Sequence, residues 1–150
     1  MTRIFFSVLL SAFLCAHSAH ALSLKDDVVG AWALESFRAG QPDGTEIDWC
    51  LNPTGLLIYT ETGFMSVGIN CDKNTPPNGP SQEAGHRLFY TGRYEIDADR
   101  GAVVHHVVNS SLEKFLGKDL VRLATLNGDQ LVLFTVGEKR NTLKWKKLAL

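Results

Sequence analysis

Apolar and polar residues alternate along most of this chain with a period of two. That is the period of a β-strand, whose successive side chains point to opposite faces. In "TLKWKKL" (142–148) Leu143, Trp145 and Lys147 share one face, while Lys144 and Lys146 share the other. In "QLVLFTV" (130–136) Leu131 and Leu133 lie together. "GLLIYTETGFMSVGIN" (55–70) reads as two strands around a turn at Thr60 to Gly63. Leu57 and Tyr59 face one way on the first strand, and Met65, Val67 and Ile69 on the second. In "LFYTGRYEI" (88–96) the apolar face carries Tyr90, Gly92, Tyr94 and Ile96; Gly92 there either admits a bend or leaves space beside the rings. "VVGAWALESF" (28–37), "AVVHHVVNSS" (102–111) and "KDLVRLATL" (118–126) complete eight predicted strands. Asn127-Gly128 is the strongest short hairpin signal among the connections. "RAGQPDGTEIDWCLNPT" (38–54) reads as a loop, and "CDKNTPPNGPSQEAGH" (71–86) as a long excursion or one helical turn near Ser81 to Gly85. No segment has the pattern of a helix of normal length.

Eight strands with these turns suit either a two-sheet sandwich or a barrel. Consecutive hairpins with one long excursion favour an all-β, eight-stranded antiparallel up-and-down barrel, because closure removes exposed strand edges.

The first 21 residues fall outside this pattern. Arg3, an apolar run from Ile4 to Cys15 and the small-x-small sequence Ala19-His20-Ala21 follow the grammar of a secretory signal peptide. The apolar run is too short to span a bilayer, which takes roughly 20 residues. Cleavage after Ala21 would leave residues 22–150 as one domain in the periplasm or outside the cell. Loss of Arg3 would move the formal charge from −1 to −2, and no basic run offers a footprint for nucleic acid. Two cysteines remain, Cys50 and Cys71. In an exported protein such a pair reads as a disulfide. The two also fall nearly opposite each other at the open end of the 55–70 hairpin, so a bridge there closes a loop of about 22 residues.

These segments resemble a known family. "VVGAWALESF", "PTGLLIYTETGFMSV", "YTGRYEID", "GAVVHHVVNSS" and "LNGDQLVL" come in the order and spacing of the bacterial and fungal lipocalin-like domain family, from about Val28 to Leu148. The resemblance implies a small β-barrel with a cavity for a modest apolar molecule, but fold alone supplies no activity. Gly30-Ala31-Trp32 is similar to the Gly-x-Trp of true lipocalins, where the tryptophan plugs the closed end beneath a C-terminal cation. Lys147 or Lys144 is the candidate for that cation here.

Candidate chemistry centres on the adjacent His105 and His106, which alternation sends to opposite faces. The pattern barely separates the faces; the resemblance places Val103, His105 and Val107 inward. An inward His105 is then a buried neutral imidazole held by a tyrosine or a carbonyl, a polar anchor for a ligand, or a general base. Arg122, between Val121 and Leu123, reads most simply as solvent-facing. The resemblance often puts an arginine there, and a guanidinium aimed inward would suit a ligand carboxylate. No nucleophile elbow, phosphate loop or zinc-binding helix occurs, so no cofactor or metal is expected.

Three functions follow. The first is a barrel binding a small apolar or amphipathic molecule, lined by Leu57, Tyr59, Met65, Tyr90, Tyr94, His105, Arg122 and Leu133. The second is an isomerase, cyclase or hydratase in the same cavity, with His105 as acid/base and Tyr94 or Tyr59 as hydrogen-bond donor. The third is an envelope accessory domain whose lumen is filled by side chains. Oligomeric state is not legible from the pattern.

Overall fold

A computed structural model describes residues 24–137 and 140–149. The expected signal segment, residues 1–21, lies outside the described residues. Among the described residues nine strands run in chain order: β1 Gly30–Gly40, β2 Glu46–Asp48, β3 Thr54–Tyr59, β4 Phe64–Asn70, β5 Arg87–Asp97, β6 Ala102–Ser110, β7 Asp119–Asn127, β8 Gln130–Thr135 and β9 Thr142–Lys147. All but β2 form a closed antiparallel barrel in the order β1-β3-β4-β5-β6-β7-β8-β9, with β9 returning to β1. The eight predicted strands are these eight, and the predicted turns at Thr60 to Gly63 and at Asn127-Gly128 join β3 to β4 and β7 to β8.

The segment expected to be a loop after Phe37 is partly strand. β1 runs on to Gly40 and pairs with β2 through Arg38↔Asp48 and Gly40↔Glu46. Arg38 forms an ion pair with Asp48 and donates to the Glu46 carbonyl, while Asp43 closes the turn by accepting from Thr45. The charged, turn-rich composition hides a two-strand ribbon because its side chains are exposed and carry no apolar alternation. β1 serves three partners by bending: a register shift between Leu34 and Ser36 lets one strand meet β3, β9 and β2.

On β3, β4, β5, β8 and β9 the inward faces are the predicted ones. Leu57 opposes Val67, Val67 opposes Tyr90, and Leu133 opposes Leu143, so the apolar rows of neighbouring strands meet in one core. One end of the barrel is plugged. Trp32 is fully buried and donates from Nε1 to the Val28 carbonyl at 2.8 Å. Lys147 holds its ammonium 5.1 Å from the Trp32 ring and donates to the Asp27 carbonyl, and so takes the position that Lys144 does not. A single helical turn over 24–27 packs Leu24 and Val28 beneath the plug.

The other end is built from connections. Cys50 and Cys71 are joined by a disulfide with Cα atoms 5.7 Å apart, fixing the start of the 71–86 excursion beside β2. That excursion contains one 3-10 turn, Gln82–Ala84, where Ser81 is buried and hydrogen-bonded to His86 Nδ1 at 2.7 Å. A second 3-10 turn, Glu113–Phe115, lies between β6 and β7 and brings Phe115 over the barrel mouth.

Candidate functional site

β6 fixes the centre of the site. His105 opposes Tyr94 on β5 and Leu120 on β7, which places it inside the barrel, where it is 1% exposed. Both ring nitrogens are engaged. Tyr59 Oη lies 2.7 Å from Nε2, and Tyr90 Oη lies 3.0 Å from Nδ1. Burial, then the positive charge of Arg122 and that of His106, hold the imidazole well below its ordinary pKa of 6.5, so His105 is neutral and carries one proton on two nitrogens.

Counting donors places that proton. Tyr59 has no other hydrogen-bond partner among the described residues, and burial pushes its hydroxyl well above the usual phenol range. With one imidazole proton, one tyrosine donates to the ring and the other accepts from it. The arrangement with Tyr59 donating to Nε2 leaves the spare hydroxyl proton on Tyr90, which lines the cavity, whereas the reverse would leave it on Tyr59, which does not. Nδ1 then carries the imidazole proton and donates it to Tyr90. Tyr90 keeps its own hydroxyl proton, and of the two tyrosines it is the one that lines the cavity. The relay Tyr59 to His105 to Tyr90 thus ends on a donor that faces open space.

That space is a cavity of about 70 Å³ in the middle of the lumen, walled by Leu57, Tyr90, His105, Arg122, Leu133 and Trp145 among others. It could hold two or three atoms' worth of polar head or a couple of waters, each of which occupies roughly 30 Å³ in the liquid. It is well below the ~300–1,000 Å³ of drug-sized pockets. Above it the mouth opens into a cleft of about 500 Å³, lined by Trp49, Pro80, Ala84 and Lys114 among others. Phe37, Leu88, Phe115 and Asn141 belong to the walls of both, so the two compartments adjoin. Trp49 stacks on Phe37 at 4.5 Å and forms one side of the mouth. Tyr90 and Phe115 meet edge to face at 5.9 Å, which makes Phe115 the ring directly above the relay.

The structure brings together five of the expected lining residues, namely Leu57, Tyr90, His105, Arg122 and Leu133. It leaves three away from the cavity. Tyr59 sits behind His105, and Met65 is buried opposite Tyr59 nearer the plugged end. Tyr94 spends its hydroxyl on the Thr60 carbonyl at 2.8 Å and packs on the Tyr59 ring at 4.7 Å. Neither catalytic role considered for Tyr94 or Tyr59 is matched by a place in the cavity wall. Arg122, which alternation alone leaves facing solvent, opposes the buried Val103 and lines the lumen. Sequence reasoning missed Phe115, Trp145 and Asn141. Alternation puts Trp145 on one face with Leu143 but says nothing of a cavity there; Phe115 sits in a short turn with no periodic signal.

His106 faces the other way. It is half exposed on the outer surface, 2.7 Å from Asp119 through Nδ1 and 3.6 Å from Glu95 through Nε2. The Asp119 hydrogen bond is the main cause that raises its pKa. Among the described residues no cluster of histidine, cysteine and carboxylate side chains has the arrangement of a metal site.

No curated protein matches this chain. The family described as "lipocalin-like domain" matches residues 29–148, which is the whole barrel from the start of β1 to the end of β9. The closed eight-strand meander, the tryptophan plug under a lysine and the mouth opposite it accord with that match, and the chain belongs to the lipocalin-like domain family.

Proposed function

We propose that this protein is an exported carrier of a small amphipathic molecule, held with its polar head in the lumen and its apolar body in the mouth cleft. The observation that carries this reading is the shared wall of the two compartments. A head-sized cavity with polar groups lies directly beneath a larger cleft of mixed lining, and Phe115 stands between the two. In that cleft Phe37, Trp49 and Phe115 supply aromatic sides and Gln41, Glu83 and Lys114 a polar rim. Export is supported by the signal-like residues 1–21 and by the Cys50–Cys71 disulfide, a bond that persists in oxidising compartments.

Native mass spectrometry of protein purified from the cell envelope tests both parts. The expected result is a chain beginning at Leu22 that carries an additional small-molecule mass. Titration with the neutral dye N-phenyl-1-naphthylamine should saturate. Leu133→Phe in the lumen and Ala84→Trp in the cleft should each weaken dye binding by roughly tenfold, about 1.4 kcal/mol. A folded protein that neither carries a ligand nor binds the dye would end the carrier reading, and a chain retaining residues 1–21 would end the export reading.

A second reading, turnover in the same cavity, is favoured by one feature: the Tyr59–His105–Tyr90 relay delivers a polarised hydroxyl to the lumen. Tyr90 would be the general acid and His105 the group that orients it. His105→Gln keeps a side chain able to hydrogen-bond, so it should lower ligand affinity only modestly. A loss of turnover with affinity intact would require the enzymatic account.

A further inference from the structure

We propose that the head group recognised in the lumen is a carboxylate; the inference rests on the carrier reading and adds the ligand's chemistry. The polar side chains around the cavity are Tyr90, His105, Arg122, Thr135, Asn141 and the Trp145 indole, and the Thr135 and Asn141 oxygens already accept from backbone N–H groups. Among the described residues Arg122 is the one charged residue in the cavity wall, which includes no Asp or Glu. Among the described residues Arg122 makes a single hydrogen bond, from Nη1 to the neighbouring Val121 carbonyl at 3.2 Å, and it pairs with no carboxylate. Trp145, in the same wall, is 1% exposed, and its indole N–H has no acceptor among the described residues. With Tyr59 donating to Nε2, His105 donates from Nδ1 to the Tyr90 oxygen, and the Tyr90 hydroxyl proton is left for the cavity that Tyr90 lines.

A guanidinium inside a protein is costly to hold without a counter-charge, and a buried N–H is costly to hold without an acceptor. One partner resolves both. A carboxylate presents two oxygens in a plane, matches the guanidinium fork with two parallel hydrogen bonds, and has lone pairs left for the tyrosine and the indole. The small size of the cavity suits a carboxylate better than a larger anion, and one arginine balances one negative charge. Apolar residues such as Leu57, Val67 and Leu143 fill the remaining wall, so the chain attached to that carboxylate has an apolar path toward the mouth.

Calorimetric titration at pH 7.5 with four probes of one chain length tests the assignment: octanoate, 1-octanol, octylammonium and octyl phosphate. Octanoate should bind roughly 10- to 100-fold more tightly than 1-octanol, the increment expected for charge-assisted hydrogen bonds. Arg122→Gln should abolish that preference, bringing octanoate to the affinity of 1-octanol, and an unchanged cooperative urea-unfolding transition shows that the variant is folded. Should Arg122→Gln fail to fold, Arg122→Lys keeps the charge without the fork and should give an intermediate preference. Equal affinity for acid and alcohol, tighter binding of octylammonium or of octyl phosphate, or a preference that survives Arg122→Gln would overturn the carboxylate assignment. Those outcomes leave the carrier reading standing. Failure of all four probes to bind would remove the carrier reading as well.

Discussion

His105 and His106 are one peptide bond apart, yet strand alternation puts the first against Tyr59 and Tyr90 and the second between Glu95 and Asp119. Their protonation therefore affects stability in opposite directions. His105 is held well below 6.5, so on acidification through about pH 6.5 the unfolded chain takes up a proton that the folded chain refuses. Stability falls with pH there, with a limiting slope of about 1.4 kcal/mol per pH unit for one proton. His106 is raised above 6.5, so its contribution is fully present below about pH 6.5 and is lost as pH rises through the folded value. Together the two place a maximum of stability near the ordinary histidine pKa. Urea unfolding across pH 5 to 8 should show that His105→Gln flattens the acid limb. His106→Gln should instead flatten the decline above neutrality. An acid limb unchanged by His105→Gln would mean that burial in the lumen does not hold the imidazole neutral.

At the scale of elements, the β5–β6 pair decides where the relay sits. A register shift beside Gly92 lets Val107 pair with Gly92 and Asn109 with Thr91, leaving Val108 without an opposing residue and 74% exposed. The bulge brings the His106 carbonyl to the place a Cβ on residue 92 would occupy, at 2.0 Å. Of the two reasons the sequence offered for a glycine there, the structure selects the bend. Gly92→Ala must push backbone that carries His105, and should cost about 3 kcal/mol, the upper part of the overpacking range. Gly68, on the neighbouring β4, has nothing within 4 Å of the same added atom, so Gly68→Ala should be neutral or slightly stabilising. Denaturant midpoints at unchanged m read both. Equal effects at the two positions would show that the bulge is soft. The same two strands show why part of the site was hard to read in advance. Valines on both sides of His105 and His106 erase the contrast that tells inside from outside, and the pairing to Tyr94 and Leu120 settles it.

At the scale of the whole molecule, the barrel is closed by β1–β9 hydrogen bonds and plugged at one end, while the mouth depends on connections that have little strand pairing of their own. The Cys50–Cys71 bridge is the covalent tie at that end. It closes a loop of about 22 residues, worth on the order of 3 kcal/mol in the chain-entropy account. Replacing both cysteines by serine should lower the unfolding free energy by about that amount. The larger relative effect should fall on the excursion, with hydrogen exchange faster in residues 71–86 than in β5 to β7. Uniform loss of protection across the barrel would instead make the bridge a determinant of the entire fold.

The sequence by itself determined the eight barrel strands, the faces of most of them and most of their turns. Alternation and turn chemistry are local, and Leu143/Trp145 or Asn127-Gly128 mean the same in any strand context. It also determined the cysteine pair, since the hairpin between those residues brings its own ends together. What only the tertiary structure decided depends on residues distant in the chain. Arg122 is inward because Val103 and Thr135 flank it across two ladders. Tyr59 and Tyr90 converge on one imidazole from strands that are 46 and 15 residues away. Phe115 reaches the mouth from a turn that carries no pattern. A cavity is a property of closure, and period-two patterning fixes which side of each strand is inside without fixing how much room is left when the last strand meets the first.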